Sequence, residues 1–216
     1  MDQATVRANR DLWIIILAAG ASVRLGTPKQ LLRVQGRTLL ARTVALAESI
    51  ARARVVVVAG AESLRIRSHL RRNAPHVRVT YNRRWKAGMG NSLAAGVRAL
   101  PNDAGAILVM LCDQPNIDIR CLARLLDRAR ARRSAVVASR YRGRYGVPAI
   151  LPRPLFPALR RLTGDRGARD LLNGAGGRID VVGVDMPEAA VDIDTPGDLA
   201  KLSRRSNRPV GDTSGD

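Results

Sequence analysis

Lys29 and Arg24 are the two cations of this chain best placed to do chemistry. They lie in Leu17-Ala-Ala-Gly-Ala-Ser-Val-Arg-Leu-Gly-Thr-Pro-Lys-Gln-Leu-Leu32, a stretch of small, conformationally permissive residues that follows an apolar run. Gly20 and Gly26 would let the backbone approach phosphate oxygens with exposed N–H groups pointing at them, while Arg24 and Lys29 supply positive charge where a pyrophosphate departs. The chain holds three lysines, Lys29, Lys86 and Lys201, against 34 arginines, so a lysine inside this loop stands out from the composition. The spacing fits neither the P-loop pattern nor the dinucleotide fingerprint. A plain glycine-rich strand-to-helix turn is the competing reading.

Carboxylates complete the chemistry. An apolar run ending at Leu111 passes straight into Cys112-Asp113-Gln114-Pro115, which puts Asp113 at a strand's carboxyl end. Mg²⁺ takes oxygen ligands, commonly one or two protein carboxylates, and fills its other positions with phosphate and water. Asp113 suits that role, with capping of the following helix as the alternative. Near the C-terminus, Val191-Asp192-Ile193-Asp194-Thr195-Pro196 sets two acids at strand-alternating positions, so Asp192 and Asp194 face one side and either could share a cation with Asp113. Asp194 or Thr195 could also cap a final helix that opens at Pro196.

Two further loops carry suitable residues. Asn82 to Leu93, with Gly88, Gly90 and Ser92, joins a strand to a helix and offers amides that could read a base or hold an anion. Gly164-Asp-Arg-Gly-Ala-Arg169 sets Arg166 and Arg169 on a turn suited to a phosphate of a second substrate. His69 and His76 have no nucleophile in a recognisable arrangement beside them and read as surface residues. Cys112 reads as a small buried hydrophobe.

The elements that must position these residues follow from pattern. Leu12 to Leu17, Val55 to Ala59 and Ala106 to Leu111 are short continuous apolar runs, the signature of buried parallel strands. Residues 77–81, 134–139 and 179–184 are further strand candidates. Thr38 to Ile50, Glu62 to Arg72, Ser92 to Leu100 and Ile117 to Arg132 carry apolar residues at helical spacing, with Asp118 placed to favour a helix N-terminus. This alternation predicts an α/β domain with a mainly parallel sheet, whose ligands sit beyond the carboxyl ends of the strands. Arg142 to Leu151, with Gly143, Gly146 and Pro148, reads as a loop feeding a strand that leaves the parallel order and could cover a substrate. Residues 11–203 are expected to form a single domain, with flexible termini over 1–10 and 204–216.

Composition narrows the partners. With 216 residues, 46% apolar content and one Phe, two Trp and three Tyr, the core must be built from Ala, Val, Leu and Ile, and stacking platforms for single-stranded nucleic acid are scarce. The formal charge of +19 is spread over many helices, densest from Arg124 to Arg133, with no nucleic-acid module. It reads as a solvated basic surface that steers a phosphate-rich small substrate, and nucleic acid is not the expected partner. Cys112 and Cys121 form no disulfide framework or metal pattern. With no signal peptide or apolar stretch of membrane-spanning length, a cytoplasmic protein is expected.

Taken together, the Leu17-to-Gln30 loop, Asn82-x-x-Trp-x-x-Gly-Met-Gly-x-Ser92, Leu111-Cys-Asp-Gln-Pro115, Gly146-x-Pro148, Gly164-Asp-x-Gly-Ala-Arg169 and Asp192-Ile-Asp-Thr-Pro-x-Asp198 resemble the molybdenum cofactor cytidylyltransferase family over about residues 12–203. The first motif is shared by many nucleotidyltransferases; the Gly-Met-Gly, Asp-Gln-Pro and Asp-Ile-Asp-Thr-Pro segments are more discriminating. The resemblance implies a Rossmann-like three-layer α/β/α nucleotidyltransferase fold and Mg²⁺-dependent transfer of CMP from CTP to the terminal phosphate of molybdopterin, with loss of pyrophosphate. It implies that Leu17, Ala18, Ala19, Gly20 and Lys29, with Gly88, Met89, Gly90 and Ser92, hold the nucleotide. Asn82, Gly146, Pro148 and Arg169 would lie on the acceptor side, Asp113 with Asp194 or Asp192 would hold the metal, and Arg24, Lys29 and Asp113 would be catalytic. CTP is favoured over GTP because related guanylyltransferases carry Gly-Gly where this chain has Ala19-Gly20. A molybdenum hydroxylase or its chaperone is the implied docking partner. The alternatives are a GTP-using or sugar- or polyol-phosphate nucleotidyltransferase, and a non-catalytic cofactor-binding protein.

Overall fold

The computed structural model describes residues 11–164, 172–173, 179–195, 197–198 and 200. Its centre is Leu12–Ala18 (β1), whose seven residues are all buried. Alternate side chains of β1 enter two different cores, Ile14, Ile16 and Ala18 on one face and Trp13, Ile15 and Leu17 on the other. That two-sided burial is why the strand reads as an unbroken apolar run.

β1 lies between Val55–Ala59 (β4) and Ala106–Leu111 (β6), parallel to both. Arg78–Tyr81 (β5) adds to β4 in parallel. On the other side come Arg144–Pro152 (β8), antiparallel to β6, then Val136–Tyr141 (β7) and Val181–Asp185 (β9). The resulting seven-stranded order is β5-β4-β1-β6-β8-β7-β9, and a separate two-stranded ribbon pairs Arg33–Val34 (β2) with Arg37–Thr38 (β3). Only β8 runs against the others. The segment expected as a loop over 142–151 is therefore mostly strand, and its departure from the parallel order is a hairpin turned at Arg142 and Gly143, both at positive φ.

Helices cover both faces. Leu39–Ala51 (α1), Ser63–Asn73 (α2) and Ile119–Ala131 (α4) bury Leu40, Val44, Ile66, Leu70, Leu122 and Leu125 in the first core, while Met89–Arg98 (α3) and the short Phe156–Leu159 (α5) bury Leu93, Val97, Phe156 and Leu159 in the second. Two N-caps are explicit: Thr38 Oγ1 accepts from the Ala41 amide at 3.1 Å and Asp118 Oδ1 accepts from the Cys121 amide at 2.9 Å. Asp118, not Asp113, opens α4, which frees Asp113 from the capping alternative. Gly96 lets α3 lie close on the sheet, because a Cβ there would stand 2.7 Å from Ile15 Cγ2. A third, small apolar cluster joins Val34, Leu39 and Ile193, with Leu25 and Leu32 packed on it.

The chain visits β1, β4 and β5 on one side, then returns past β1 to place β6 on the other. The carboxyl ends of β1 and β6 therefore flank the point where strand order reverses, and the crevice there is where doubly wound sheets bind ligands. No helix among the described residues is long and apolar enough to cross a membrane.

Candidate active site

The loop leaving β1 is organised by its own side chains. Ser22, at φ 54°, accepts from the Lys29 amide through Oγ at 2.9 Å, which folds the loop back over itself and delivers Lys29 to the crevice. Gly60, just past β4, allows a further close approach, since a Cβ there would lie 2.5 Å from the Ala19 carbonyl oxygen and 2.7 Å from Trp85 Cβ.

Lys29 is the hub. Its Nζ bonds Asp113 Oδ2 and lies 3.1 Å from Asp194 Oδ1, with 17% of the side chain exposed. Arg24 reaches the other oxygen of Asp194 at 2.7 Å. Burial works against the Lys29 ammonium, yet Asp113 and Asp194 outweigh it and raise its pKa above the ordinary lysine value. Asp194 is opposed by its own burial but held below the usual carboxylate range by Lys29 and Arg24. Asp192 goes the other way: partial burial, then the charges of Asp113 and Asp194, push it up to about 6.

Asp192 and Asp194 lie in an extended segment that forms no sheet ladder. Ile193 is buried between them, and its amide donates to the Asp113 carbonyl at 3.0 Å. Thr195 and Asp198 close a reciprocal cap: the Thr195 amide donates to Asp198 Oδ2 at 2.9 Å and the Asp198 amide to Thr195 Oγ1 at 3.3 Å. The capping role thus belongs to Thr195, and Asp194 is left to the crevice.

A cavity of about 350 Å³ beside this cluster is lined by Leu17, Ala18, Ala19, Gly20, Lys29, Gly88, Met89, Ser92 and Asp113, together with Trp85. Of the residues expected to hold a nucleotide, only Gly90 is missing from its wall. Gly90 is buried in the first turn of α3, with its amide donated to the Gly164 carbonyl at 2.8 Å.

Asn82, expected on the acceptor side with Gly146 and Pro148, is buried behind Ser92, donating to Ser92 Oγ at 2.9 Å and accepting from the Arg84 amide at 2.9 Å. With its amide committed in this way, it braces the 82–92 loop. Gly146 and Pro148 lie on β8, where the Gly146 hydrogens face the Tyr141 ring and the Pro148 carbonyl accepts from buried Ser139 Oγ at 2.7 Å. Arg166, Arg169 and Pro196, like the termini 1–10 and 204–216, lie outside the described residues. Cys112 is buried in the first core and its thiol is pushed up to about 12 by that burial, as suits a small apolar residue.

Cation binding can be tested on the residues themselves. Among the described residues no group of three or more His, Cys, Asp or Glu gathers as a metal cage. A magnesium-type ion held partly by nucleotide phosphates needs only one or two carboxylates. Asp113 Oδ1 is buried without a hydrogen-bond partner, an oxygen that a cation would satisfy, and Asp113 and Asp194 already share the Lys29 ammonium. The residues fit.

Cations on a small-residue loop, facing carboxylates across the switch point of a mainly parallel sheet, define a phosphate-handling enzyme of the nucleotidyltransferase class. Residues 14–180 match the MobA-like NTP transferase domain, and the chain belongs to that family. It is 33% identical over 195 residues to nicotine blue oxidoreductase of Paenarthrobacter nicotinovorans, covering 87% of this chain and 94% of that protein. It is 30% identical over 203 residues to purine catabolism protein PucB of Bacillus subtilis strain 168, covering 88% and 95%. Among solved structures, Rv0371c of Mycobacterium tuberculosis H37Rv in complex with manganese matches with a TM-score of 0.71 at 27% identity, over 90% of this chain and 98% of that one.

Gln30, Gln114 and Gly60 were not singled out by the sequence reading. Gly60 had a signal, a glycine ending an apolar strand. The two glutamines stood within the motifs beside Lys29 and Asp113 but carried no assigned role.

Proposed function

We propose that this nucleotidyltransferase moves CMP from CTP to the terminal phosphate of a molybdopterin-type cofactor and releases pyrophosphate. The observation that carries the reading is Lys29 held between Asp113 and Asp194 at the mouth of a cavity walled by the Leu17–Gly20 loop. The triphosphate lies along that loop, where Lys29 and Arg24 exchange their carboxylate partners for phosphate oxygens and stabilise the charge that grows on the departing pyrophosphate. An acceptor phosphate is already ionised, so no general base is required, and the chain's task is to align it with the α-phosphorus. Asp113 with Asp194 or Asp192 would hold Mg²⁺, which when bound neutralises phosphate charge as a Lewis acid. That Rv0371c is described in complex with manganese supports the use of a divalent ion. Ala19, a residue of the cavity wall, stands where related guanylyltransferases carry glycine, which favours CTP over GTP.

The test is pyrophosphate release from CTP and from GTP with a molybdopterin-type acceptor and Mg²⁺, in wild type and Asp113→Asn. Release with CTP alone, lost in the variant, is the expected result. Release with GTP overturns the base assignment; release only with sugar or polyol phosphates overturns the acceptor. Nucleotide binding without release would make the chain an accessory protein that hands on its ligand. Because one relative is named an oxidoreductase, turnover of a redox substrate without pyrophosphate release would overturn transfer itself.

A further inference from the structure

The residues following Lys29 and Asp113 are both glutamines, built alike. Gln30 is 1% exposed and Gln114 5%. Gln30 Nε2 donates to the carbonyls of Ala18 at 3.0 Å and Gly20 at 2.8 Å. Gln114 Nε2 donates to the carbonyls of Val147 at 3.0 Å and Ala189 at 2.8 Å. A carbonyl can only accept, so the nitrogen must face the pair in each case, and the orientation of both amides follows from chemistry. Each Oε1 is buried with no partner. Both side chains thus leave an acceptor unsatisfied while clamping two backbone carbonyls.

What they clamp differs. Gln30 grips the loop on either side of Ala19, and the Ala19 carbonyl accepts from the Ala61 amide at 3.1 Å, so Gln30 fixes the wall of the nucleotide cavity. Gln114 ties the Asp113 segment to β8 and to the turn at residues 187–190, which leads directly into Asp192 and Asp194. Together with the Ile193-to-Asp113 backbone bond, it sets how far the carboxylates stand apart.

We infer that Gln30 and Gln114 are positioning residues with separate duties: Gln30 holds the nucleotide wall in shape, and Gln114 holds the carboxylates at cation-binding separation. The inference takes its ligands from the nucleotide-transfer reading but rests its geometry on the protein alone. Gln30→Met and Gln114→Met keep the length and remove both donors. Three quantities are read: manganese affinity by electron paramagnetic resonance at saturating CTP, CTP affinity in EDTA by tryptophan fluorescence, and amide exchange at Ala61 and Ile193 without ligand.

Gln114→Met is expected to weaken manganese binding about tenfold and to speed exchange at Ile193, with CTP affinity and Ala61 unchanged. Gln30→Met is expected to weaken CTP about tenfold, as lost preorganisation does, and to speed Ala61, with manganese affinity and Ile193 unchanged. Both variants moving the same quantities, or moving only the melting temperature, overturns the inference. If a Met variant does not fold, its Glu counterpart, which keeps the shape but offers at most one proton, is read the same way. Wild type that binds neither CTP nor manganese removes the nucleotide-transfer reading, and unchanged Ala61 and Ile193 exchange in the variants then overturns the positioning roles independently.

Discussion

Replacing Lys29 by Met tests the centre of the mechanism, because one ammonium holds two carboxylates in a partly closed crevice. Lys29 and Asp113 are 17% and 13% exposed in their side chains. Two unit charges 4 Å apart at an effective dielectric of 20 attract by about 4 kcal/mol, and the cost of burying both offsets part of it. The second limb, to Asp194 at 38% exposure, is screened by solvent and adds little. A net loss of roughly 2–3 kcal/mol follows, which in a chain of this size lowers Tm by about 5–10 °C. The same change removes a fixed cation from the departing pyrophosphate and is expected to cut kcat by about 10²–10³. It should also lift the Asp192 carboxyl further above about 6, since Lys29 is among the charges that hold it down.

The assay is pyrophosphate release at saturating CTP, with thermal melts run with and without Mg²⁺. Added cation should recover much of the lost Tm in Lys29→Met, where it takes the ammonium's place among the carboxylates, and recover little of kcat. A kcat within threefold of wild type would refute the role of Lys29 at the leaving group. An unchanged Tm would refute the electrostatic account of the crevice.

Other perturbations reach separate parts of the argument. Asp192 has a folded pKa raised from 3.8 to about 6, so the stability it contributes is present below pH 3.8 and lost as pH rises through 6; Asp192→Asn should therefore melt higher than wild type at pH 8 in EDTA, by about 1 kcal/mol after solvent screening, with no difference at pH 3.5. Gly60→Ala forces a Cβ against the Ala19 carbonyl and should cost about 1–3 kcal/mol and raise KM for the nucleotide, measured by denaturant melts and by initial rates. Ala19→Gly, at a residue of the cavity wall, should improve GTP relative to CTP in competition assays.

Much of the architecture was legible because parallel strands buried on both faces leave unbroken apolar runs: Leu12–Ala18, Val55–Ala59 and Ala106–Leu111 were expected within a residue. β8 was harder. Its Gly146 and Pro148 read as breakers, yet its partners on both sides run antiparallel to it, and the irregular pairing near Ser139 accommodates them. The cations and carboxylates were legible as residue types. Their sharing of one phosphate site was expected too; the direct ion pairs were not, since spacing says nothing of a contact between Lys29 and Asp194, 165 residues apart. For Asn82, nothing in its neighbours marks a side chain whose amide is bonded to Ser92 and Arg84.

The small cluster of Val34, Leu39 and Ile193, with Leu25 and Leu32 against it, has a mechanical consequence. Leu25 and Leu32 flank Lys29 in the phosphate loop, whereas Ile193 stands between the two acids of the other wall. Both walls of the crevice therefore share one footing, apart from the two large cores, and form a single local unit of opening. Loosening that footing disorders cations and carboxylates at once while the sheet stays folded, so the site is gained or lost as a whole.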